Sequence, residues 1–257
     1  MPDRDFLLDG YRDILASALA NGYRFMAFDS IGREACAKSC LLRHDVDSEL
    51  LDCGPLLDIE KSLGVKATYF VMTRSTAYNL FCVEARDMVA RMLADGHRIG
   101  LHFMGELCEG DDARSIADKV AREAAWLAQE FGTLIDSVSF HQPTRAILDG
   151  DLEIPGLVNT YNRRQMGDYF YVSDTNMQWR HEHPLEIFAR AIYPRLQLLM
   201  HPMWWTAQGL DVRGKWTAVL DANREHVVRH WKKRERTLEK IDLASPPTGL
   251  PTRHGLA

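Results

Sequence analysis

Leu41-Leu42-Arg43-His44-Asp45-Val46-Asp47 runs a short apolar segment directly into two carboxylates and a histidine. An apolar run of that length reads as a buried strand. Ionisable groups at the mouth of such a strand have to be paired, hydrated or bound to a metal. The pattern recurs along the chain: residues 98–101 run into His102, 137–140 into His141, 169–173 into Asp174 and 196–200 into His201. Five predicted strands therefore end in a side chain able to ligate a metal or move a proton.

Amphipathic stretches lie between these strands. The spacing predicts a helix around residues 6–20, one carrying Leu56, Leu57, Ile59 and Leu63 with Gly64 closing it, and one carrying Val83, Met88, Val89, Met92 and Leu93 that ends near Gly96. A longer helix is expected over 112–131, closed by Gly132, and a charged terminal helix over 215–238. Residues 67–72 read as a further strand, whereas 150–164 is turn-rich and reads as a loop over the site or a short strand around Leu157 and Val158. Strand and helix alternating in this way predict parallel βαβ units, hence an α/β fold. In such folds the groups at the carboxyl ends of the strands converge on one place, which turns five separate observations into one site. A single domain is expected over 1–240. Residues 241–257 are expected to form a loose tail, because Ser245-Pro246-Pro247-Thr248-Gly249-Leu250-Pro251 cannot continue a helix.

At 257 residues, with 46% hydrophobic and 26% charged residues and a formal net charge of -5, the composition is that of a globular protein and offers no basic footprint for nucleic acid. Neither an uninterrupted apolar leader after Met1-Pro2-Asp3-Arg4-Asp5 nor a stretch of membrane-spanning length is present. The five cysteines, Cys36, Cys40, Cys53, Cys82 and Cys108, form an odd, scattered set that suits reduced thiols. Cys36 and Cys40 lack the second pair that a structural zinc site needs. The expected place is the cytoplasm. Nothing in the sequence sets the oligomeric state.

Asp45 and Asp47 lie two apart, so on an extended strand they share a face and repel. A divalent cation relieves that repulsion by ligating one carboxylate, and leaves the other free to act as a base. His102 suits zinc, cobalt, nickel or iron rather than calcium or magnesium. His201 is then available as an acid, since histidine titrates near neutrality. Each residue alone also has a plainer reading: the aspartates as a helix cap beside Ser48, any one histidine as hydrogen-bonded structure. His97 precedes its strand and reads as structural.

Taken together these residues resemble the polysaccharide deacetylases of carbohydrate esterase family four, in an atypical branch linked to bacterial surface-polysaccharide biosynthesis. Arg43-His44-Asp45-Val46-Asp47 is similar to the first motif, Gly96-His97-Arg98-Ile99-Gly100-Leu101-His102 to the second, Ser139-Phe140-His141-Gln142-Pro143 to the third and Leu198-Leu199-Met200-His201-Pro202 to the last. The resemblance covers residues 41–205. It implies a distorted, incomplete (β/α) barrel and metal-dependent removal of an acyl group from an amino sugar, with Asp45 as base, Asp47 and His102 as ligands of a divalent metal such as zinc, and His201 as acid. Two departures stand out. The position four after His102, where the family has its second histidine ligand, is Glu106, so either Glu106 or, by preference, His141 completes the metal shell. His141 in turn occupies the place of an arginine that pairs with the base, so it is either a ligand or that arginine's substitute.

Asp174 is expected to orient His201 or to bind the sugar. Trp179, Trp204 and Trp205 offer flat faces to a sugar ring or simply pack. The expected substrate is an N-acetylated sugar on a nucleotide, a lipid carrier or a small glycoside, with Arg163-Arg164 meeting a phosphate or remaining solvated. Two other readings stay open: a degenerate deacetylase fold that only binds sugar, and a metal-dependent amidase acting on a non-sugar small molecule.

Overall fold

The computed structural model describes residues 5–32, 36–180 and 182–243. In chain order the elements are α1 (Leu8–Ala20), β1 (Arg24–Phe25), β2 (Ser39–Val46), α2 (Cys53–Leu63), β3 (Thr68–Val71), α3 (Val83–Ala94), β4 (Arg98–Met104), α4 (Ala113–Phe131) and β5 (Ser137–His141). They continue as α5 (Arg145–Asp149), β6 (Val158–Asn159), α6 (Arg163–Met166), β7 (Phe170–Ser173), α7 (Pro184–Arg190), β8 (Arg195–Met200), α8 (Val212–Lys232) and α9 (Arg236–Glu239). The helices α2 and α4 end on the expected glycines, Gly64 and Gly132, both left-handed.

Every strand pairing is parallel, in the order β6-β5-β4-β3-β2-β8-β7 with β1 added against β2. The two outermost strands, β6 and β7, do not pair with each other, so the sheet does not close. It does curl. β2 and β5 are three strands apart, about 14 Å on a flat sheet, yet the Arg43 guanidinium on β2 hydrogen-bonds Ser139 on β5. The result is the expected incomplete (β/α) barrel.

Alternation along β2 sends its residues to two different environments. Leu41 faces inward and packs with Phe28, Phe70 and Met166 in a small plug inside the sheet, whereas Leu42 and Val46 join the larger core beneath the helices. His44 also faces outward, which separates it from the aspartates beside it. It meets a polar cluster that is entirely buried: His44 Nε2 lies 2.7 Å from Glu60 Oε1, the Tyr69 hydroxyl donates to Glu60 Oε2 at 2.7 Å, and Tyr11 donates to the same carboxylate. His97 joins them 3.6 Å from Glu60 Oε2 and accepts the Ala67 amide, in keeping with the structural role expected of it.

Two expectations, on strand ends and on the terminal helix, needed correction. His102 and Asp45 lie within their strands rather than beyond them, because β4 runs on to Met104 and β2 to Val46. The predicted terminal helix is two pieces, α8 ending at Lys232 and α9 beginning at Arg236; the run Lys232-Lys233-Arg234 stacks like charges where the helix dipole favours a terminus. The chain divides into two compact units, Met1–Val219 and Leu220–Ala257. The first contains the whole sheet. Of the second, residues 220–243 are described, and the proline-rich stretch from Ser245 lies outside the described residues. Among the described residues no helix is long and apolar enough to cross a membrane.

Burial pushes the Glu60 carboxyl up, but the charge and hydrogen bond of His44, with Tyr11 and His97, outweigh burial and hold it below the usual carboxylate range. A carboxyl depressed in the folded state stabilises fully above its unfolded value of about 4.3 and loses that contribution as the pH falls through the folded value. Glu60→Ala, which strips the buried Tyr69 hydroxyl of its acceptor and leaves His44 and Tyr11 with only each other, is expected to cost about 3–5 kcal/mol in urea unfolding at pH 7 and to flatten the acid side of the stability profile; an unchanged midpoint would show that the cluster is not needed for the fold.

Candidate active site

Inward-facing positions of β2 form a column: Leu41 in the apolar plug, then Arg43, then Asp45, then Asp47 just past the strand end. Arg43 is fully buried. Its Nε donates to Asp45 Oδ1 at 2.8 Å and its Nη2 to Asp45 Oδ2 at 2.7 Å, a bidentate pair. The rest of the guanidinium reaches Thr160 Oγ1 at 3.0 Å, the Tyr161 hydroxyl at 3.1 Å and Ser139. The rings of Phe70 and Tyr161 lie 5.5 Å and 5.1 Å from it. Burial pushes the Asp45 carboxyl up, but the guanidinium outweighs burial and holds the group below its ordinary range.

Asp47 stands at the mouth among three histidines. Its Oδ1 is 3.0 Å from His102 Nε2 and 3.4 Å from His141 Nδ1, and its Oδ2 is 3.7 Å from His201 Nε2. His102 comes from inside β4 and His141 from the end of β5, at positions that face the same interior. Gly105 makes this convergence possible: a Cβ there would lie 2.3 Å from the Gln142 carbonyl oxygen and 2.6 Å from that of His141.

The donor atoms of Asp47, His102 and His141 all lie within 4.8 Å of one another. Around a tetrahedral ion with ligands at about 2.1 Å, neighbouring donors stand about 3.4 Å apart, close to the spacing seen here. Asp47 Oδ1 is buried without a hydrogen bond. One carboxylate and two imidazoles form a donor set suited to zinc or a similar transition ion. The residues present therefore fit a divalent cation. Glu106 is exposed on the turn Gly105–Cys108 and is not in the cluster.

His201, just past β8, turns its other nitrogen away from this group. Its Nδ1 is 2.6 Å from Asp174 Oδ1, its backbone amide donates to the same carboxylate at 3.0 Å, and Trp205 Nε1 donates to Asp174 Oδ2 at 2.9 Å. Asp174 is fully buried. Burial disfavours the charged imidazole, yet the charge and hydrogen bond of Asp174 raise His201 to about 9. Of the two roles expected for Asp174, orienting His201 is the one its contacts display.

The structure thus brings Asp45, Asp47, His102, His141, His201 and Asp174 together. The sequence reading missed Arg43, Ser139, Thr160, Tyr161 and Trp205. Arg43 had a signal, since it shares the two-residue alternation of Asp45 and Asp47, and it supplies the guanidinium for which His141 was a candidate substitute. Trp204 and Trp205 are 5% and 3% exposed and pack rather than present a face; Trp179 is half-buried and stacks on Phe6. Arg163 lies near Asp149, and Arg164 near Asp151 and Glu153, with both arginine side chains exposed, which matches the solvated alternative.

Solved structures similar to this chain include deacetylases. The chitin deacetylase of the fungal pathogen Colletotrichum lindemuthianum is 18% identical with a TM-score of 0.45, over 72% of this chain and 81% of that one. The Streptococcus pyogenes deacetylase PplD is 15% identical at 0.45, over 76% and 81%. A family 4 carbohydrate esterase from Bacillus anthracis is 17% identical at 0.40, over 82% and 85%. No protein-family model matches the chain, and neither does any curated protein sequence.

Arg43→Met removes the guanidinium that bonds both oxygens of Asp45 and strands a buried carboxylate. The expected outcome is a loss of about 3–5 kcal/mol in chemical unfolding, while the double variant Arg43→Met/Asp45→Leu recovers much of it; equal instability of both would mean that the cavity, not the charge, sets the cost.

Proposed function

We propose that the chain is a metal-dependent hydrolase that removes an N-acetyl group from an amino sugar in polysaccharide or glycoconjugate biosynthesis. What carries this reading is the separation of roles around Asp47: a three-donor cluster, a carboxylate clamped on one side and a carboxylate-held histidine on the other. Amide hydrolysis needs those three parts, because water must lose a proton, the carbonyl must be polarised and the amine must gain a proton to leave.

Asp47, His102 and His141 are the ligands in this reading. A divalent ion held there supplies Lewis acidity, polarising the acyl carbonyl and acidifying water, which a carboxylate as weak as Asp45 needs if it is to act as a base. Asp45 then accepts the proton of the attacking water, with both oxygens fixed by Arg43 and one by Ser139. His201 has Nδ1 committed to Asp174, so Nε2 faces the site and gives its proton to the departing nitrogen. The products are acetate and a free amine. His141 is read as a ligand rather than as partner of the base, a reading supported by Arg43 already pairing with Asp45. This weighs against a degenerate, purely binding role, which the missing histidine at Glu106 had suggested.

The five cysteines, none of them in a disulfide, support a reducing compartment, and with it a biosynthetic intermediate as substrate. Two measurements test the chemistry. Elemental analysis is expected to find one equivalent of metal in the wild type and in Glu106→Ala, and none in Asp47→Ala or His102→Ala; stoichiometric metal in both of the latter would sink the ligand assignment. Acetate release from nucleotide-linked N-acetyl amino sugars is expected to fall by a hundredfold or more in Asp45→Asn and His201→Ala with metal retained. A wild-type rate in His201→Ala would place the acid elsewhere, and activity confined to chitin or peptidoglycan fragments would refute the biosynthetic substrate alone.

A further inference from the structure

Gly105 and Gln142 directly follow Met104 and His141, the last partners in the register of β4 with β5. One step beyond the ladder the two chains run closer than a side chain allows. A Cβ on the buried Gly105 would overlap the carbonyl oxygens of both Gln142 and His141, and backbone cannot swing aside as the end of a flexible side chain can. Facing it, Gln142 has a φ of 48°. Left-handed backbone is uncommon for a residue with a Cβ and falls mostly to asparagine, aspartate or histidine when glycine is absent. Pro143 follows, and a residue before proline is pushed toward extended backbone. The Gln142 side chain is exposed, so its own packing does not demand the turn. A backbone held against its preferences persists only where the surroundings over-determine it, and such positions gather at functional sites.

We infer that Gly105 and Gln142 are positioning residues for the third metal donor: the missing Cβ lets the His141 carbonyl settle against the end of β4, and the left-handed turn keeps it there, which sets the imidazole facing Asp47 and His102. The inference rests on the reading of His141 as a ligand. Of the two imidazoles His141 is the one that needs such a device. His102 is held inside its strand with a side chain 2% exposed, whereas the His141 side chain ends its strand and is 26% exposed. With little packing around the ring, the backbone has to aim it. A turn needed only to lead the chain into α5 would affect stability and leave metal affinity alone.

Zinc affinity of the full chain, measured by competition with a chromophoric chelator, separates the two. His141→Ala is expected to bind zinc a hundredfold or more weakly, as loss of a ligand demands. Gly105→Ala, and Gln142→Val with a β-branched residue that resists positive φ, should each lose at least tenfold, the scale on which groups that orient a ligand act. Gln142→Gly and Gln142→Asn, which accept the left-handed turn, should keep the affinity. In a His141→Ala background neither Gly105→Ala nor Gln142→Val should cost anything further, because both act through that ring. Wild-type affinity in Gly105→Ala or in Gln142→Val, with His141→Ala weakened, overturns the inference and leaves the ligand reading standing. A further loss in the His141→Ala background also overturns it, since the crossing would then support the site as a whole. Wild-type affinity in His141→Ala removes the ligand reading and the inference with it.

Discussion

The bidentate pair between Arg43 and Asp45 sits midway up the interior, and what lies below and above is arranged around it. Below are Leu41, Phe28, Phe70 and Met166, an apolar plug that excludes water from the floor of the site. Above is Asp47 with its three histidines. An arginine with no exposure is tolerable only when its donors are satisfied, and Arg43 spends them on Asp45, Ser139, Thr160 and Tyr161, which belong to β2, β5 and the segment after β6. One guanidinium therefore ties together strands that a flat sheet would hold far apart. Such a buried pair contributes little net stability against an apolar replacement. Its effect is positional: Asp45 is ionised, its two oxygens are fixed, and His141 is left free to turn toward Asp47.

The same strand does opposite things on its two faces. Inward, Arg43 and Asp45 are a charge pair at the base of the candidate site; outward, His44 anchors a buried cluster with Glu60, Tyr11 and Tyr69 that ties β2 to α1, α2 and β3. The ionisable residues in Arg43-His44-Asp45-Val46-Asp47 are thus not one constellation but two, interleaved by the period of the strand. The outward cluster holds β2 in place from behind, so the column of inward side chains rests on a fixed backbone.

Much of this was readable from spacing alone. Alternating strands and amphipathic stretches gave the parallel order, and side chains near five strand ends do converge, because parallel strands all point their carboxyl ends the same way. What spacing does not carry is the partner. Arg43 meets Ser139 and Thr160 across 96 and 117 positions of chain, which takes a curled sheet, and Glu60 meets Tyr11 across 49, which takes α1 packed against α2. The choice between His141 and Glu106 was equally a tertiary matter. Glu106 sits at the expected offset but is itself exposed on the turn after the strand, while His141 is brought in by a close backbone crossing at Gly105.

The two groups proposed to move protons are biased in opposite directions by partners of opposite sign. A cation, Arg43, keeps Asp45 ionised; an anion, Asp174, keeps His201 protonated. With unperturbed values of about 3.9 and 6.5, a base and an acid of these types would be in their working states together only across that short interval. Raising His201 to about 9 extends the interval through neutrality. Pushing two titratable groups apart in this way is how a fold assigns one to each role. The largest charge contributions come from two buried partners, Arg43 and Asp174: Arg43 from two residues earlier on the same strand, Asp174 from the end of the neighbouring strand β7.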